Sequence, residues 1–262
     1  MTVITMMTDF GLKDGNVGVM KGVIWGIASE AHIADLSHLI TPQNIPEAAL
    51  VLSRAVPYFP DETIHVVVVD PGVGTSRRPM AAQIGRQFYV GPDNGTITLW
   101  LESAESQGLA CKFIHLEYQQ YWLSIVSTVF HGRDIFAPVA GYLAAGLPLE
   151  SLGSSIDDPV RLSLPRPERA AHGWRGQIIH IDHFGNLASN ILREHLEQSR
   201  HVTVRLRGVN IEDLMLTFGD RPPGELIALF GSSGNLIVAE VNGSAARRLN
   251  ARVGDGIDVF IE

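Results

Sequence analysis

The sequence predicts two domains: an α/β N-terminal domain with a mostly parallel sheet, and a smaller, mostly β C-terminal domain. In the first half, apolar runs of strand length alternate with segments whose apolar residues recur at helical spacing. Such alternation is typical of a doubly wound sheet. In the second half, short strand-like runs are separated by glycine or turn residues, and no long helical pattern intervenes. That texture is typical of a small all-β domain.

The first domain is expected to cover residues 1–165. Its predicted strands and helices alternate along the chain: strands 3–7, 33–36 and 63–69, and helices 17–28, 46–58 and 135–147. The third strand contains an unbroken run of valine, residues 66–69. Unbroken β-branched runs indicate strands that are covered on both faces, as in parallel sheets.

The second domain is expected to cover residues 172–262. It follows a proline-rich stretch, residues 149–169, whose lack of periodicity predicts a linker. The predicted strands of this domain are 177–182, 202–206, 226–230, 235–241 and 257–261.

Composition narrows the class of protein. Hydrophobic residues make up 45% and charged residues 18%, as in ordinary globular chains. The net charge of -8, without a basic stripe, argues against nucleic-acid binding. No apolar run is long enough to cross a membrane and no basic leader precedes the first strand, so we expect a cytoplasmic protein. The single cysteine, Cys111, excludes an internal disulfide and fits a reducing compartment.

Two acidic residues follow predicted strands. Asp9 comes after the first strand and Asp70 after the third. In open α/β sheets, ligands bind beyond the carboxyl ends of the strands, so both carboxylates are expected at a ligand crevice. Asp9 suits either a carboxylate that accepts hydrogen bonds from a ribose diol or an ordinary turn or helix-capping aspartate.

Asp70 opens a glycine-rich loop, Asp-Pro-Gly-Val-Gly-Thr-Ser-Arg-Arg, that ends at Arg77 and Arg78. Its glycines allow the backbone to approach a ligand closely. The loop lacks the Gly-Lys-Ser/Thr ending of a P-loop and the third glycine of a dinucleotide site. A solvated turn with surface arginines is the alternative. The coincidence of acid, glycines and base at a strand end favours a functional site.

A third cluster is Phe-His-Gly-Arg-Asp at residues 130–134. His131 beside a glycine suits an active-site turn, although a packed core imidazole is the alternative. Arg133 and Asp134 can simply pair with each other.

In the second domain, His180 and Asp182 share one face of a predicted strand. Two ligands do not specify a metal, so a polar substrate site is the preferred interpretation. Ser232 and Asn242 lie in small polar turns. Phe218 can stack on a base or act as a hydrophobic plug.

Taken together, these segments resemble the SAM hydroxide adenosyltransferase family, the adenosine-forming S-adenosyl-L-methionine (SAM) hydrolases, which are kin to the fluorinase and chlorinase. The resemblance runs nearly end to end through ordered motifs at residues 8–12, 18–22, 70–78, 91–95, 130–134, 180–186 and 242–246.

The resemblance implies a β-barrel-like C-terminal domain and a homotrimer with each active site between neighbouring subunits. It implies hydrolysis of SAM to adenosine and L-methionine by water attack at the ribose C5′, without a metal or another cofactor. Three alternatives are a halide-using SAM halogenase, a SAM or adenosine sensor without significant turnover, and a metal-dependent hydrolase. The metal ligands of the last would be His131, Asp134, His180 and Asp182.

The resemblance also implies roles for individual residues. Asp70, Arg77 and His131 match the family's catalytic set that handles the water. The residues that match substrate contacts are Asp9 at the ribose diol, Asn16 and Asn94 at the substrate pocket, Asp182 at the methionine amino group, Phe184 and Phe218 as aromatic walls, Asn186 at the nucleoside end, Ser232 at the methionine carboxylate, and Asn242 at the adenine edge.

The chain departs from its kin at four positions. Asn16 replaces a tyrosine of many relatives, and Gln43 replaces a tryptophan of the halogenating ones. Ser233 replaces an arginine, and Gly132 stands where the fluorinase places its halide-binding serine. Because halogenases also lack the Asp-Arg-His set, the chain resembles the hydroxide-using side of the family.

Overall fold

The computed structural model describes residues 2–196 and 201–261. The chain forms two compact units, Met1–Leu162 and Ser163–Glu262, and each has its own sheet and its own hydrophobic core.

The first unit contains a seven-stranded sheet. Its strands are β1 (Val3–Thr8), β2 (His32–Ser37), β3 (Ile64–Val68), β4 (Pro79–Ile84), β5 (Gln87–Pro92), β6 (Cys111–Leu116) and β7 (Gly153–Ile156). Their order is β2-β1-β3-β5-β4-β6-β7. The first four strands in this order pair in parallel, whereas β4 is antiparallel to both neighbours and β6 is antiparallel to β7. The expected mostly parallel sheet is therefore corrected to a mixed sheet, because a β4–β5 hairpin adds antiparallel ladders.

Four α-helices cover this sheet. They are α1 (Asn16–Ile27), α2 (Ile45–Ala55), α3 (Thr98–Ser106) and α4 (Ala137–Ala144). The side chain of Asn44 caps α2 by accepting a hydrogen bond from the Glu47 N–H at 3.1 Å, and Pro46 occupies its first turn. Among the described residues of the chain, none of the helices combines the length and apolar character needed to span a bilayer.

The valine run of β3 is buried on both faces, as predicted. Val66 and Val68 join a core beneath α1 and α4, whereas Val67 and Val69 join a second core beneath α2 and α3. This division follows from the two-residue period of a strand. Continuous apolar sequence therefore places β3 in the middle of the unit.

The predicted linker at 149–169 is only partly irregular. Residues 153–156 form the edge strand β7, which pairs with β6, and residues 168–170 form β8 (Glu168–Ala170) of the second unit. Short edge strands need few apolar residues, so β7 and β8 give no strand pattern within this proline-rich stretch.

The second unit is a nine-stranded, nearly closed, barrel-like sheet. Besides β8, its strands are β9 (Gly173–Ile181), β10 (Leu187–Leu192), β11 (Val202–Leu206), β12 (Val209–Glu212), β13 (Leu214–Met215), β14 (Leu226–Phe230), β15 (Asn235–Glu240) and β16 (Gly256–Ile261). The strand order is β12-β11-β16-β9-β10-β15-β14-β13, and β12 also lies beside β14, which brings the two ends together. All five predicted strands are present. A short helix, α5 (Ala245–Leu249), packs on β15.

Candidate active site

The candidate site begins at the carboxyl ends of β1 and β3. Thr8 pairs with Val68 in this parallel ladder, so Asp9 and Asp70 leave neighbouring strands at the same edge of the sheet. This is the edge at which open α/β sheets bind ligands. The structure thus brings the two carboxylates to one edge, as the sequence predicts.

Asp70 and Arg77 form a two-pronged ion pair. Arg77 Nε donates to Asp70 Oδ1 at 3.1 Å, and Arg77 Nη2 lies 2.5 Å from Asp70 Oδ2. Both side chains are almost fully buried, with 8% of Arg77 and 4% of Asp70 exposed. Paired hydrogen bonds of this kind fix the plane of a guanidinium as well as its position.

The same guanidinium reaches His131. Arg77 Nη2 lies 3.0 Å from His131 Nδ1. A guanidinium can only donate hydrogen bonds, so Nδ1 accepts and the neutral ring carries its proton on Nε2. Burial, and next the charge of Arg77, lower the pKa of His131 below its ordinary value of 6.5. The imidazole is therefore neutral at pH 7 and presents an Nε2–H donor.

One donor of Arg77 is left over. Its Nη1 atom is buried and has no hydrogen-bond partner among the described residues. Burial raises the pKa of Asp70 above its ordinary 3.8, although the charge of Arg77 opposes the rise. The Phe136 ring lies 5.4 Å from Arg77 Cζ and closes one face of the guanidinium. An unsatisfied buried cationic donor is a ready site for a polar atom of a ligand.

The glycine-rich loop packs closely on the chain that precedes His131. Gly74 has φ +75°, and a Cβ there would lie 2.2 Å from the Thr128 carbonyl oxygen. Within the loop, the hydroxyl of Thr75 donates to the Gly72 carbonyl at 2.7 Å and accepts from Arg77 N–H at 3.3 Å. The glycine is required here by both backbone conformation and close approach.

His131 precedes a π-helical turn, Gly132–Phe136. A Cβ at Gly132 would lie 3.1 Å from Met20 Sδ and 3.4 Å from a Val68 methyl carbon, so the turn sits tightly against α1 and β3. Single π-turns in helices are frequent at functional sites. The predicted helix 135–147 thus starts inside a turn that α-helical periodicity does not reveal.

The expected pair between Arg133 and Asp134 is present. Arg133 Nε donates to Asp134 Oδ1 at 2.5 Å, and the buried Asp134 also accepts from Ser127 N–H at 2.7 Å. These bonds occupy the carboxylate that the metal-hydrolase alternative would use. Over the described ranges 2–196 and 201–261, no three His, Cys, Asp or Glu side chains are grouped as metal ligands.

Asp9 lies in a turn that α1 follows. Its Oδ2 accepts a hydrogen bond from Gln43 N–H at 2.8 Å. Asn94 holds the end of β3, because its amide donates to the Val69 carbonyl at 2.9 Å and accepts from the Thr96 hydroxyl at 2.7 Å. Asn16 is exposed at the first residue of α1. The substrate contacts of all three stay predictions.

In the second unit, Asp182 organises the turn after β9. Its Oδ1 accepts from the N–H groups of Phe184 and Asn186, both at 2.9 Å, and its Oδ2 accepts from the Asn186 amide at 2.8 Å. Gly185 has φ +87° and packs against Ser244, and its carbonyl accepts from the Ala246 N–H in the first turn of α5 at 3.0 Å. The motifs 182–186 and 242–246 are therefore neighbours.

The other predicted contact residues of this unit lie on exposed turns. Phe184 is 73% exposed, Phe218 begins a short 3₁₀ turn, Ser232 connects β14 to β15, and Asn242 follows β15 with φ +55°. The substrate contacts of these four residues stay predictions.

Two supports of the cluster are not predictable from the sequence. Phe136 lies under Arg77, and Thr128 receives the loop at Gly74. Neither has a local signal, since each acts through packing with residues more than fifty positions away in the chain. Phe10 and Phe130 also make an edge-to-face contact, with 5.8 Å between ring centroids. This contact joins the turn after Asp9 to the segment before His131, and it too depends on residues far apart in the sequence.

The chain matches known proteins over nearly its whole length. Residues 4–153 match the SAM hydroxide adenosyltransferase N-terminal domain, and residues 176–258 match the corresponding C-terminal domain. A curated relative from Salinispora tropica, named (R)-S-adenosyl-L-methionine hydrolase, is 40% identical over 98% of this chain and 97% of its own length. A fluorinase from an Actinoplanes species is 28% identical over 96% of this chain and 95% of its own length.

A solved structure also matches. The crystal structure of an uncharacterized conserved protein from Thermotoga maritima superposes with a TM-score of 0.90, at 37% identity, over 98% of this chain and 99% of that one. The chain therefore belongs to the SAM hydroxide adenosyltransferase family.

Proposed function

We propose that this protein hydrolyses S-adenosyl-L-methionine to adenosine and L-methionine by attack of water on the ribose C5′. Family membership supports the substrate, since relatives of full length carry the name SAM hydrolase. The observation that carries the mechanism is the buried Asp70–Arg77–His131 cluster with its unpartnered Arg77 Nη1 donor.

The reaction is a displacement at a carbon that is already activated. The water oxygen forms a bond to C5′ while the C5′–S bond breaks, and the electron pair of that bond neutralises the sulfonium. One water proton stays on the new 5′ hydroxyl of adenosine, and the other is released. Rate therefore depends on holding the oxygen in line with the C5′–S bond and on stabilising the charge that develops on it.

The cluster offers two donors and one acceptor for this task. Arg77 Nη1 and His131 Nε2–H hold the water oxygen and favour its hydroxide character, since both are donors in the arrangement described above. Each Asp70 oxygen accepts one hydrogen bond from Arg77 and keeps a second lone pair, and one of these lone pairs accepts the departing proton. The raised pKa of Asp70 favours that uptake. In this scheme His131 orients the water, and it does not act as the base.

Substrate binding falls to residues outside the cluster. Asp9 accepts hydrogen bonds from the ribose diol through the carboxylate that Gln43 N–H orients. Polar and aromatic side chains of both units complete recognition of the nucleoside and of methionine: Asn16, Asn94, Asp182, Phe184, Asn186, Phe218, Ser232 and Asn242. No cofactor takes part, and the working form is a cytoplasmic homotrimer with each site between neighbouring subunits.

The decisive experiment is incubation of chelator-treated protein with SAM in ¹⁸O-labelled water, with chloride and fluoride present in a parallel reaction. Mass spectrometry should show ¹⁸O at the 5′ oxygen of adenosine together with L-methionine. A halogenated nucleoside would establish halide transfer instead. Tight adenosine binding without any product would identify a sensor.

A further inference from the structure

The turn that contains Asp9 contacts His38, the residue that follows β2, through both its side chain and its backbone. The Thr8 hydroxyl lies 2.9 Å from His38 Nδ1 and accepts from Phe10 N–H at 3.2 Å. The Gly11 N–H donates to the His38 carbonyl at 2.8 Å. His38 therefore contacts this turn twice, once through its ring and once through its backbone.

A β-bulge creates these contacts. Met6 pairs with Asp35 but Met7 pairs with Ser37, so Leu36 is an extra residue in β2. If β2 paired regularly, Leu36 would stand opposite Met7 and Ser37 opposite Thr8, and His38 would lie beyond the end of the ladder. Bulges are frequent next to active sites, where they change the direction of a side chain.

The other ring nitrogen of His38 faces a carboxylate. His38 Nε2 lies 3.0 Å from Asp35 Oδ1, a charge contact without hydrogen-bond geometry, and Asp35 Oδ2 accepts from Lys21 Nζ at 2.7 Å. A carboxylate at this position favours the tautomer with its proton on Nε2. Nδ1 is then an acceptor for the Thr8 hydroxyl, which leaves the oxygen of Thr8 free to accept from Phe10 N–H.

The order of Thr8, His38 and Asp35 resembles that of a nucleophile, a base and a carboxylate, but Thr8 cannot attack a substrate. It is fully buried within the sheet, and its oxygen already receives the Phe10 N–H. His38 is buried as well, with 5% exposed. What this chain of contacts reaches is the backbone on either side of Asp9.

We propose that His38 is a positioning residue for Asp9, holding its turn in the conformation that receives the ribose diol. The inference rests on the proposed function, in which Asp9 binds that diol. Gln43 N–H orients the carboxylate itself, and His38 fixes the backbone from which the carboxylate projects. Loss of the ring should loosen ribose binding much more than it slows the displacement, because Arg77 and His131 belong to other segments.

The test compares His38→Ala, His38→Asn and His38→Gln. The amide of asparagine can occupy the place of Nδ1 and accept from Thr8, whereas that of glutamine reaches the place of Nε2 and leaves Thr8 without its acceptor. Calorimetric titration should give an adenosine dissociation constant raised about tenfold in His38→Ala and His38→Gln, the loss expected for one buried hydrogen bond. His38→Asn should return it to within about threefold of the unmutated value. His32→Ala, an exposed histidine in the same strand, is the matched control.

Kinetics with SAM give the second readout. KM should follow the dissociation constants, while kcat changes less than about threefold. Thr8→Val, which deletes only the shared hydroxyl, should reproduce the loss even where His38→Ala fails to fold. An unchanged adenosine affinity in Thr8→Val, or equal affinities of His38→Asn and His38→Gln, would overturn the inference. An unmutated chain that binds adenosine but converts no SAM would overturn only the proposed function, since the affinity ratios test His38 separately.

Discussion

Arg77 donates from Nη2 to Nδ1 of His131 over 3.0 Å, and this single contact fixes the neutral imidazole with its proton on Nε2. The same arginine holds Asp70 by two further hydrogen bonds. One guanidinium thus organises the whole cluster, and it does so with a geometry that a point charge does not reproduce.

Arg77→Lys should therefore abolish most of the activity although the charge is retained. An ammonium cannot hold Asp70 at two oxygens, reach His131 and leave a donor for water. We expect kcat to fall about 10²- to 10³-fold, while the adenosine dissociation constant stays within about threefold. Steady-state kinetics and calorimetry measure the two quantities. Arg86→Lys, at a pair on the surface, is the control, and an Arg77→Lys enzyme with normal kcat would contradict the mechanism.

Activity should decline on the acid side of neutrality. His131 must stay neutral to leave Nδ1 as an acceptor, and its pKa lies below 6.5 because of burial and the charge of Arg77. Asp70 must stay ionised, and burial raises its pKa above 3.8. Lowering the pH protonates both groups, so kcat/KM should be full at pH 7 and fall as the pH is lowered further.

A pH profile of kcat/KM measures this decline, and circular dichroism over the same pH range shows whether the protein stays folded. Asp70→Asn should lower the plateau itself, because an amide does not accept the proton. Activity that increases as the pH falls from 7 would show that a protonated imidazole is the working form.

Asp9→Asn should weaken ribose recognition selectively. The amide oxygen still accepts from Gln43 N–H, but the negative charge that receives the diol is lost. We expect the adenosine dissociation constant to rise about tenfold, with a smaller rise for 2′-deoxyadenosine, which keeps only the 3′ hydroxyl of the diol. Titration of both nucleosides forms a double comparison, and Asp14→Asn, an exposed aspartate of the same loop, is the control. Equal losses for the two nucleosides would place Asp9 away from the diol.

Gly74→Ala should destabilise the protein more than the same substitution at a glycine that has positive φ but no close neighbour. Its Cβ would collide with the Thr128 carbonyl, whereas a Cβ at Gly108, which has φ +67°, meets open space. We expect Gly108→Ala to lower the free energy of unfolding by about 1 kcal/mol and Gly74→Ala by about 3 kcal/mol. Urea denaturation measures both values. Equal decreases in the free energy of unfolding would mean that the glycine-rich loop moves away from Thr128 without further destabilising the protein.

The parts of this molecule that sequence predicts are those with a local cause. The valine run of β3 needs two covered faces, and parallel strands that end together place Asp9 beside Asp70. The β4–β5 hairpin was missed because residues such as Ala81 and Ala82 are buried on opposite faces. Their side chains therefore show no alternation of apolar and polar residues.

The contacts within the site were harder to predict than its members. Arg77 and His131 are separated by fifty-four positions, so their hydrogen bond depends on the seating of Gly74 and Gly132 against other segments. Asp134 shows the same limit. Its pairing with Arg133 is local and was anticipated, but its bond to Ser127 N–H arises only when the turn folds back.

The π-turn after His131 has an evolutionary consequence. The Ala137 N–H bonds to the carbonyl of Gly132, five residues earlier, so the turn holds one residue more than a regular α-helix. Deleting one residue there would let α4 extend in regular geometry, yet it would rotate His131 by about 100° around the helix axis, away from Arg77. The chain length that gives a regular helix and the chain length that places His131 beside Arg77 thus differ by one amino acid. A lineage under selection only for stability has a short path to an inactive protein with an intact fold.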